Sequence, residues 1–402
     1  MRTAGTDAAP DRQQQWAVIR RRLLWIGLAA LAIRLAAVVV VMDWQQPPSD
    51  FSLRYLPIAN ALLDGEGFAM NSQPTAVAPP LYPLLLAAVL AVFGPSVTAV
   101  RIVLALVDTA HCLVWAVIAF RLLGERVGWS VGALLAVCPY LVYLVVTAAG
   151  SDTLFLLLQG AFVLLFVGAV EGSNGGRRGR FLGAGAVLGL ATLCRAVSLF
   201  LPLAVVPIIL LRGRRRPAAA VMSAVLLVVG FTLVLSPWTA RNWQHFHRLV
   251  PVQTLGGYHL YLAVAGASSD EQNAALGDVA TDADYLHRGL REMAGRPMFV
   301  LRGMASRLWR MWFWTHSGRL PGLLATVNLV LLAAALGGIV LTRRRWRQLL
   351  VLYVVIGYYI ALHSVLFAIF RYLMPVVPAL ITFAAAAGWG VVDRLRQTEM
   401  GE

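Results

Sequence analysis

Long apolar segments recur along the whole chain and are separated by short polar stretches. Several of them reach about 18 residues, which is enough for a helix to cross the roughly 30 Å hydrocarbon core of a bilayer. They are continuously apolar rather than alternating, a pattern typical of membrane helices and not of barrel strands. The pattern predicts helices over residues 22–42, 80–94, 97–121, 127–148, 151–171, 179–194, 196–212, 217–237, 320–341, 348–370 and 372–392.

The composition of the chain excludes an ordinary water-soluble domain. Of the 402 residues, 59% are hydrophobic and only 13% are charged, whereas soluble domains carry roughly 25% charged residues. We therefore expect an all-α polytopic membrane protein with about 11–12 transmembrane helices.

The net charge of +15 comes from arginine, because the chain contains no lysine. The arginines cluster in short loops between apolar segments, at 20–22, 177–180, 212–216 and 343–347. Such clusters mark the cytoplasmic side of a membrane protein. We therefore expect both termini in the cytoplasm and no nucleic-acid partner, with loops 43–79 and 238–300 on the outer side.

If every predicted helix crossed the membrane once, the arginine-rich loops could not all lie in the cytoplasm. Four full crossings between residues 80 and 171 would leave the arginine-rich loop 171–180 outside. Pro139 divides the segment 127–148, and proline breaks the backbone hydrogen-bond ladder of a helix. The segment is predicted to be either two short pieces or one kinked helix. Both alternatives leave residues 149–152 on the outer side.

The assignment of loops to the cytoplasmic or the outer side predicts five parts in the chain. The second part contains the loop 43–79. The five parts are a disordered cytoplasmic N-terminus (1–21), an N-terminal transmembrane module (22–237), an extracytoplasmic cap with an interfacial helix (238–318), C-terminal transmembrane helices (319–392) and a cytoplasmic tail (393–402).

Acidic residues are concentrated just after the first membrane helix. Asp50 precedes a stretch with helical spacing of apolar residues, which predicts an amphipathic helix at the membrane surface that includes Tyr55. A carboxylate at the mouth of a membrane cavity can act as a general base or as a metal ligand. The alternative is a solvated loop acid on the outer face.

Several motifs follow Asp50 in a fixed order. They are "PPLYPLLLA" at 79–87, "SDTLFLLL" at 151–158, "GLATLCRAVSLFLPL" at 189–203, "SPWTARNW" at 236–243 and "FRYLMPVVP" at 370–378. Together they resemble the polyprenyl-phosphate-sugar glycosyltransferases of the GT-C class, in particular glycosyltransferase family 39. That family includes protein O-mannosyltransferases and the aminoarabinose transferases of lipid A.

The resemblance implies a GT-C fold with interfacial helices in the first extracytoplasmic loop. It also implies an enzyme of the bacterial plasma (inner) membrane that acts on the extracytoplasmic side. A sugar would pass from a polyprenyl phosphate to an acceptor hydroxyl on a lipid, glycan or protein, with inversion. The family's loop aspartate corresponds to Asp50, as general base. Phe51 stands where many members carry a second acid.

A lipid-phosphate leaving group needs cationic stabilisation as its charge develops. Arginine is suited to phosphate because its fork of donors binds bidentately. Arg195, Arg241 and Arg371 are placed at predicted outer helix ends, and are therefore candidate phosphate ligands. The alternative for each is snorkelling of the charge to the membrane interface.

Two tyrosines and a second acid complete the candidate substrate contacts. Asp152 begins a helix on the outer side, where it would either cap the helix together with Ser151 or orient the acceptor. With Asp50 it could hold a divalent cation, Mg²⁺ or Mn²⁺, as in some GT-C enzymes. Tyr55 and Tyr258 are candidate contacts to the sugar or the lipid phosphate.

Two other functions fit the pattern. In a transporter or lipid flippase for an anionic lipid or glycolipid, Asp108 and buried arginines would handle the proton or the headgroup. Asp108 and His111 share one helix face, so an internal hydrogen-bonded pair, joined by Arg101, is the other interpretation. A non-catalytic scaffold for envelope assembly is the third function.

Overall fold

The computed structural model describes residues 12–41, 50–148, 150–172, 174–265, 279–315, 318–319, 321–366 and 368–399. The described residues form α1 (Arg12–Val40), α2 (Leu56–Leu63), α3 (Leu81–Phe93), α4 (Val97–Leu123), α5 (Glu125–Ala136), α6 (Pro139–Val146), α7 (Gly150–Glu171), α8 (Asn174–Cys194), α9 (Leu201–Arg212), α10 (Pro217–Phe246), α11 (Gly256–Ala265), α12 (Val279–Gly295), α13 (Pro297–Phe313), α14 (Gly322–Thr342), α15 (Trp346–Val365) and α16 (Val377–Glu399). Short helical turns cover Phe51–Tyr55, Ala196–Ser198, Arg343–Arg345 and Phe370–Leu373.

Two very short hairpins are added to the helices. Strand β1 (Ala69–Met70) pairs antiparallel with β2 (Gln73–Pro74), and β3 (Trp314–Thr315) pairs with β4 (Gly318–Arg319). Both turn residues between β1 and β2 have positive φ, 52° at Asn71 and 56° at Ser72. Such a pair matches the right-handed twist of a two-residue hairpin. The predicted all-α class is confirmed.

The polytopic membrane architecture is confirmed, and every predicted helix has a counterpart in the structure. Among the described residues, five helical segments are long and apolar enough to span a membrane, or six if the bent pair α5–α6 is one span. This is fewer than the 11–12 predicted. One reason is that α3 has 13 residues and therefore rises only about 20 Å.

Several boundaries differ from the predicted ones. Helix α1 begins at Arg12, so the predicted disordered segment 1–21 is helical from that residue, and residues 1–11 lie outside the described part. Helix α10 continues to Phe246, nine residues past the predicted end of the N-terminal module. The interfacial helix predicted within 238–318 corresponds to α13 (Pro297–Phe313). The five-part division itself stays a prediction.

The structure resolves the predicted break at Pro139 as two helices. Helix α5 ends at Ala136, α6 begins at Pro139, and the two axes differ by 45°. Proline has no N–H to donate to the carbonyl four residues earlier, so the break leaves backbone carbonyls to be satisfied. Arg34 of α1 donates to the carbonyl of Leu135 at 3.2 Å and to that of Ala136 at 2.8 Å.

Arg34 also forms an ion pair with Asp108. Its Nε donates to Asp108 Oδ2 at 2.6 Å, and His111 Nδ1 lies 3.3 Å from Asp108 Oδ1. Asp108 and His111 are therefore adjacent, as predicted, but neither ring nitrogen of His111 makes a hydrogen bond to a described residue. The arginine beside them is Arg34, while Arg101 donates to the carbonyl of Val41. A charge at this depth needs a partner, and we call Arg34, Asp108 and His111 the inner cluster.

Close helix packing holds the remainder of the core. Helix α8 lies against α10 so tightly that a Cβ on Gly185 would be 1.9 Å from the carbonyl oxygen of Leu227. Small residues at such contacts let membrane helices approach each other closely. Helix α7 packs on α8 and α4. This packing fixes the start of α7 beside the end of α8, where the candidate site lies.

Candidate active site

Four segments that are far apart in the sequence meet at the ends of the helices on the predicted outer side. Asp50 precedes the helical turn Phe51–Tyr55, and Asp152 lies in the first turn of α7. Arg195 follows α8, and Arg371 lies in the helical turn before α16. The structure thus brings together four of the predicted site residues.

The four side chains form a continuous series of ion pairs. Arg371 Nη1 donates to Asp50 Oδ2 at 3.1 Å, and Arg371 Nε donates to Asp152 Oδ2 at 2.7 Å. Arg195 Nη1 donates to the other oxygen of Asp152. Arg54 Nη2 lies 3.7 Å from Asp50 Oδ1. We call these five residues the outer cluster. Its three guanidinium groups face two carboxylates, so one positive charge is left over.

The two acids of the outer cluster differ in their access to solvent. The side chain of Asp152 is 5% exposed and both its oxygens are engaged by arginines. The side chain of Asp50 is 40% exposed. Asp152 therefore acts as the anchor of two guanidinium groups, and its described bonds do not have the geometry of the predicted helix cap. Asp50 is the acid that a substrate can reach.

Tyr55 ties the segment that carries Asp50 to the start of α7. Its hydroxyl donates to Ser151 Oγ at 3.2 Å, and its ring packs edge-on against Tyr82 at 5.0 Å between centroids. Gly150 permits this arrangement, because a Cβ there would lie 2.1 Å from the Tyr82 ring. Tyr55 is thus buried between the two acidic segments, and its predicted contact with substrate stays a prediction.

The local fold around Asp50 departs from the predicted regular helix. Residues Phe51–Tyr55 form a π-helical turn, which runs directly into α2. Such turns hold one more residue than an α-helical turn and are frequent at functional sites. Phe51 and Tyr55 are buried, whereas Leu53 is exposed. Pro57 lies in the first turn of α2, and the helix continues past it to Leu63.

The charges around Asp50 keep its carboxyl ionised. Burial raises its pKa, but Arg371, Arg54 and Arg195 together outweigh burial, and the pKa is lowered from 3.8. His259 of α11 belongs to the same environment. Burial, with a further contribution from Arg54, lowers the pKa of His259 to about 4. At neutral pH the site therefore combines an ionised carboxylate with a neutral imidazole.

The side chains do not fit a divalent cation held between Asp50 and Asp152. Arg371 occupies the position between the two carboxylates, and Arg195 takes the remaining oxygen of Asp152. A cation there would have to displace a guanidinium group or lie beside one. Within the described ranges, no group of three or more His, Cys, Asp or Glu side chains has the arrangement of a metal site.

Arg241 lies in a different environment from the other predicted phosphate ligands. Its Nη1 donates to the carbonyl of Thr75 at 2.8 Å and its Nη2 to that of Phe68 at 2.7 Å. The guanidinium also stacks over the ring of Trp238. Arg241 thus fastens the β1–β2 hairpin to α10. It lines an apolar cavity of about 540 Å³, together with His245.

Tyr258 lies inside the pair formed by α11 and α12. Its backbone N–H donates to Asp282 Oδ1 at 2.9 Å, and its ring packs edge-on against Tyr285. The Asp282 carboxylate caps the first turn of α11 in this way. The predicted contact of Tyr258 with substrate stays a prediction.

Two arginines of evident importance were not identified from the sequence. Arg54 is four residues after Asp50, and that spacing on a predicted helix is the signal that would have identified it. Arg34 interrupts the first apolar segment, and an arginine inside a membrane helix is by itself a sign of a buried partner.

Residues 77–240 match the model of the family described as dolichyl-phosphate-mannose-protein mannosyltransferase. The predicted resemblance is confirmed. The matched region contains Asp152 and Arg195 and ends at the residue before Arg241. No characterised protein sequence matches the chain significantly.

The structure is similar to that of the archaeal oligosaccharyltransferase AglB from Archaeoglobus fulgidus, in complex with an inhibitory peptide and a dolichol-phosphate. The TM-score is 0.61 at 13% identity, over 97% of this chain and 52% of AglB. The chain thus spans about half the length of AglB, and this likeness shows the GT-C fold.

Two structures of ArnT from Cupriavidus metallidurans are more distant. The form bound to undecaprenyl phosphate has a TM-score of 0.42 at 16% identity, over 90% of this chain and 77% of ArnT. The apo form has a TM-score of 0.43 at 16% identity, over 93% and 78%.

Proposed function

We propose that the protein is a membrane glycosyltransferase that takes a sugar from a polyprenyl-phosphate donor and transfers it to an acceptor hydroxyl. The observation that carries this proposal is the outer cluster, in which one exposed carboxylate is surrounded by three guanidinium groups. The family match and the shared fold with AglB support the same class of donor, since the AglB structure holds a dolichol-phosphate.

Arg195 and Arg371 are the proposed ligands of the donor phosphate. Both are held by Asp152, which fixes the direction of their forked donor groups before a substrate arrives. Preorganised cations of this kind stabilise the charge that develops on a leaving group without having to reorient. The surplus positive charge of the outer cluster suits a phosphodiester, which carries one negative charge.

Asp50 is the proposed general base. The acceptor oxygen attacks the anomeric carbon from the face opposite the phosphate, and the new C–O bond forms as the bond to the phosphate oxygen breaks. The hydroxyl proton passes to an Asp50 oxygen, and the electron pair of the broken bond leaves with the lipid phosphate. The configuration at the anomeric carbon is therefore inverted. Asp50 is ionised and exposed, as this role requires.

The outer cluster lies at the opposite ends of its helices from the arginine-rich loops. Helix α7 begins beside Asp152 and ends at Glu171, just before the arginines at 177–180. If those loops are cytoplasmic, the site faces the extracytoplasmic side of a bacterial plasma membrane. The acceptor hydroxyl would then belong to a lipid, glycan or protein of the cell envelope.

The inner cluster argues against the transporter alternative. Arg34 is the partner of Asp108, and the same arginine satisfies the carbonyls at the α5–α6 break. Both side chains are almost completely buried, at 0% and 1% exposure. Their contacts account for the two charges as structural groups, so no proton pathway is needed to explain them.

The test is transfer by the purified protein in detergent with a panel of synthetic polyprenyl-phosphate sugars and hydroxyl acceptors. Asp50→Asn is expected to reduce transfer by about 10²–10⁴-fold and to lower the thermal unfolding midpoint only slightly, because the ion pairs of Asp50 are partly exposed to solvent. Asp64→Asn is the matched control, because Asp64 is an exposed acid at the end of α2. An Asp50→Asn variant with full activity would refute the assignment of the base.

A further inference from the structure

Arg371 holds the two carboxylates of the outer cluster unequally. It contacts Asp152 Oδ2 with two groups, Nε at 2.7 Å and Nη2 at 2.5 Å. It reaches Asp50 with one group, Nη1, at 3.1 Å from Oδ2. The side chain of Asp50 is also the exposed one. The contact with Asp50 is therefore the easier of the two to exchange for another anion.

We propose that Arg371 couples the two substrates, because the donor phosphate takes its Nη1 from Asp50 and so frees that carboxylate for the acceptor hydroxyl. This inference rests on the proposed function and adds an order of events to it. The donor binds first, and Asp50 then meets the acceptor hydroxyl without its bond to Arg371.

The geometry supplies the reason why one guanidinium serves both purposes. Asp152 fixes the inward edge of Arg371, so the group cannot leave the site. Nη1 remains, and its N–H that points to Asp50 can serve either that carboxylate or a phosphate oxygen, because one N–H makes one well-aligned hydrogen bond. The hydrogen bond from Arg371 lowers the pKa of Asp50, so its loss in the exchange raises that pKa and makes Asp50 a stronger base at the moment when the sugar is in position.

The exchange has a measurable consequence for binding of the lipid phosphate alone. If phosphate must displace Asp50, removal of the Asp50 charge strengthens phosphate binding, since the two groups compete for one donor. Farnesyl phosphate is the probe, with its dissociation constant measured by titration calorimetry in detergent. Asp50→Asn is expected to bind it about tenfold more tightly than the unchanged protein. Asp64→Asn is expected to bind it as the unchanged protein does.

A double-mutant cycle separates this coupling from simple charge repulsion. Arg371→Lys keeps a cation opposite Asp152 but lacks the fork that reaches Asp50. In the Arg371→Lys protein, Asp50→Asn is expected to change the dissociation constant of farnesyl phosphate by less than twofold, because the gain in affinity depends on the shared guanidinium. An equal gain in affinity with Arg371 and with Lys at this position would show that Asp50 only repels the phosphate, and would overturn the proposal.

The remaining outcomes distinguish the proposal from the function on which it rests. Farnesyl phosphate binding that is equal in the unchanged protein and Asp50→Asn refutes the coupling and leaves the donor class intact. A folded protein that binds no lipid phosphate in any variant refutes the donor class itself. Asp50→Ser repeats the measurement with a smaller side chain, and the 40% exposure of Asp50 favours folding of both variants.

Discussion

The inner and outer clusters both contain arginine–aspartate ion pairs, and the differences between them distinguish a structural role from a chemical one. Each pairs arginine with aspartate between helices that are distant in the sequence. In the inner cluster, Arg34 is completely buried and its donors are taken by Asp108 and by backbone carbonyls. In the outer cluster, a carboxylate is exposed and cations are in excess. Buried arginine–aspartate pairs alone therefore do not indicate an active site.

The largest effect is expected from removing one charge of the inner cluster. Asp108→Asn leaves Arg34 buried without its counter-charge, which destabilises a protein by about 3–5 kcal/mol. We expect a large fall in the thermal unfolding midpoint, with transfer per folded molecule retained. Measurement of both quantities on the same detergent sample checks this. Lost transfer in a protein of unchanged stability would instead assign Asp108 to the function, as in a transporter.

The next largest effect is expected at Arg195 in the outer cluster. Arg195→Gln removes one of the two proposed phosphate ligands, and the loss of one preorganised donor costs about 10²–10³-fold in rate. The turnover number and the binding of farnesyl phosphate should both decrease. Arg195→Lys should recover part of the rate because it restores the charge. A glutamine variant with unchanged turnover would remove Arg195 from the phosphate site.

A smaller effect is expected at Arg241, the predicted phosphate ligand that the structure separates from the others. Arg241→Gln loses two charge-assisted bonds to the β1–β2 hairpin, which costs about 1–3 kcal/mol of stability. The transfer rate should fall by a smaller factor than it does in Arg195→Gln. The free energy of unfolding is measured with urea, and the transfer rate is measured on the same variant. A variant of normal stability that has lost turnover would return Arg241 to the phosphate site.

The smallest effect is expected from pH. The pKa of Asp50 is lowered from 3.8, so the stability that its ion pairs contribute is fully present above that value and is lost only as pH falls through the lower folded-state pKa. His259, with a pKa of about 4, stays neutral above pH 5. We expect kcat/KM for the donor, which reports the free enzyme, to have no acidic limb between pH 5 and pH 8. A limb near pH 6 would contradict Asp50 as the free-enzyme base.

The sequence predicted the helices well because a membrane span imposes a length and a continuous apolar pattern. Motif order and outer-side placement also selected Asp50, Asp152, Arg195 and Arg371, which the structure brings into contact. Their pairing could not be read from the sequence, since Asp50 and Arg371 are separated by 321 positions. The same limit explains Arg241, whose carbonyl partners lie in a hairpin that is defined only by tertiary contacts.

The inner cluster shows a related limit. Asp108 and His111 were paired from their spacing within one helix, but their arginine was assigned to the nearer position in the sequence, Arg101. The structure uses Arg34 because the break before Pro139 supplies unsatisfied carbonyls at the same depth. Local spacing predicts pairs on one helix, whereas a partner from another helix depends on how the helices pack.

The contact between Asp50 and Arg371 has a consequence for how the protein is made. Asp50 follows the first membrane helix and Arg371 comes just before α16. A ribosome must therefore deliver all the helices between these two residues into the bilayer before the two side chains can meet. A chain arrested after α7 contains Asp50 and Asp152 but lacks Arg371. The complete cluster is absent from every insertion intermediate that stops before Arg371.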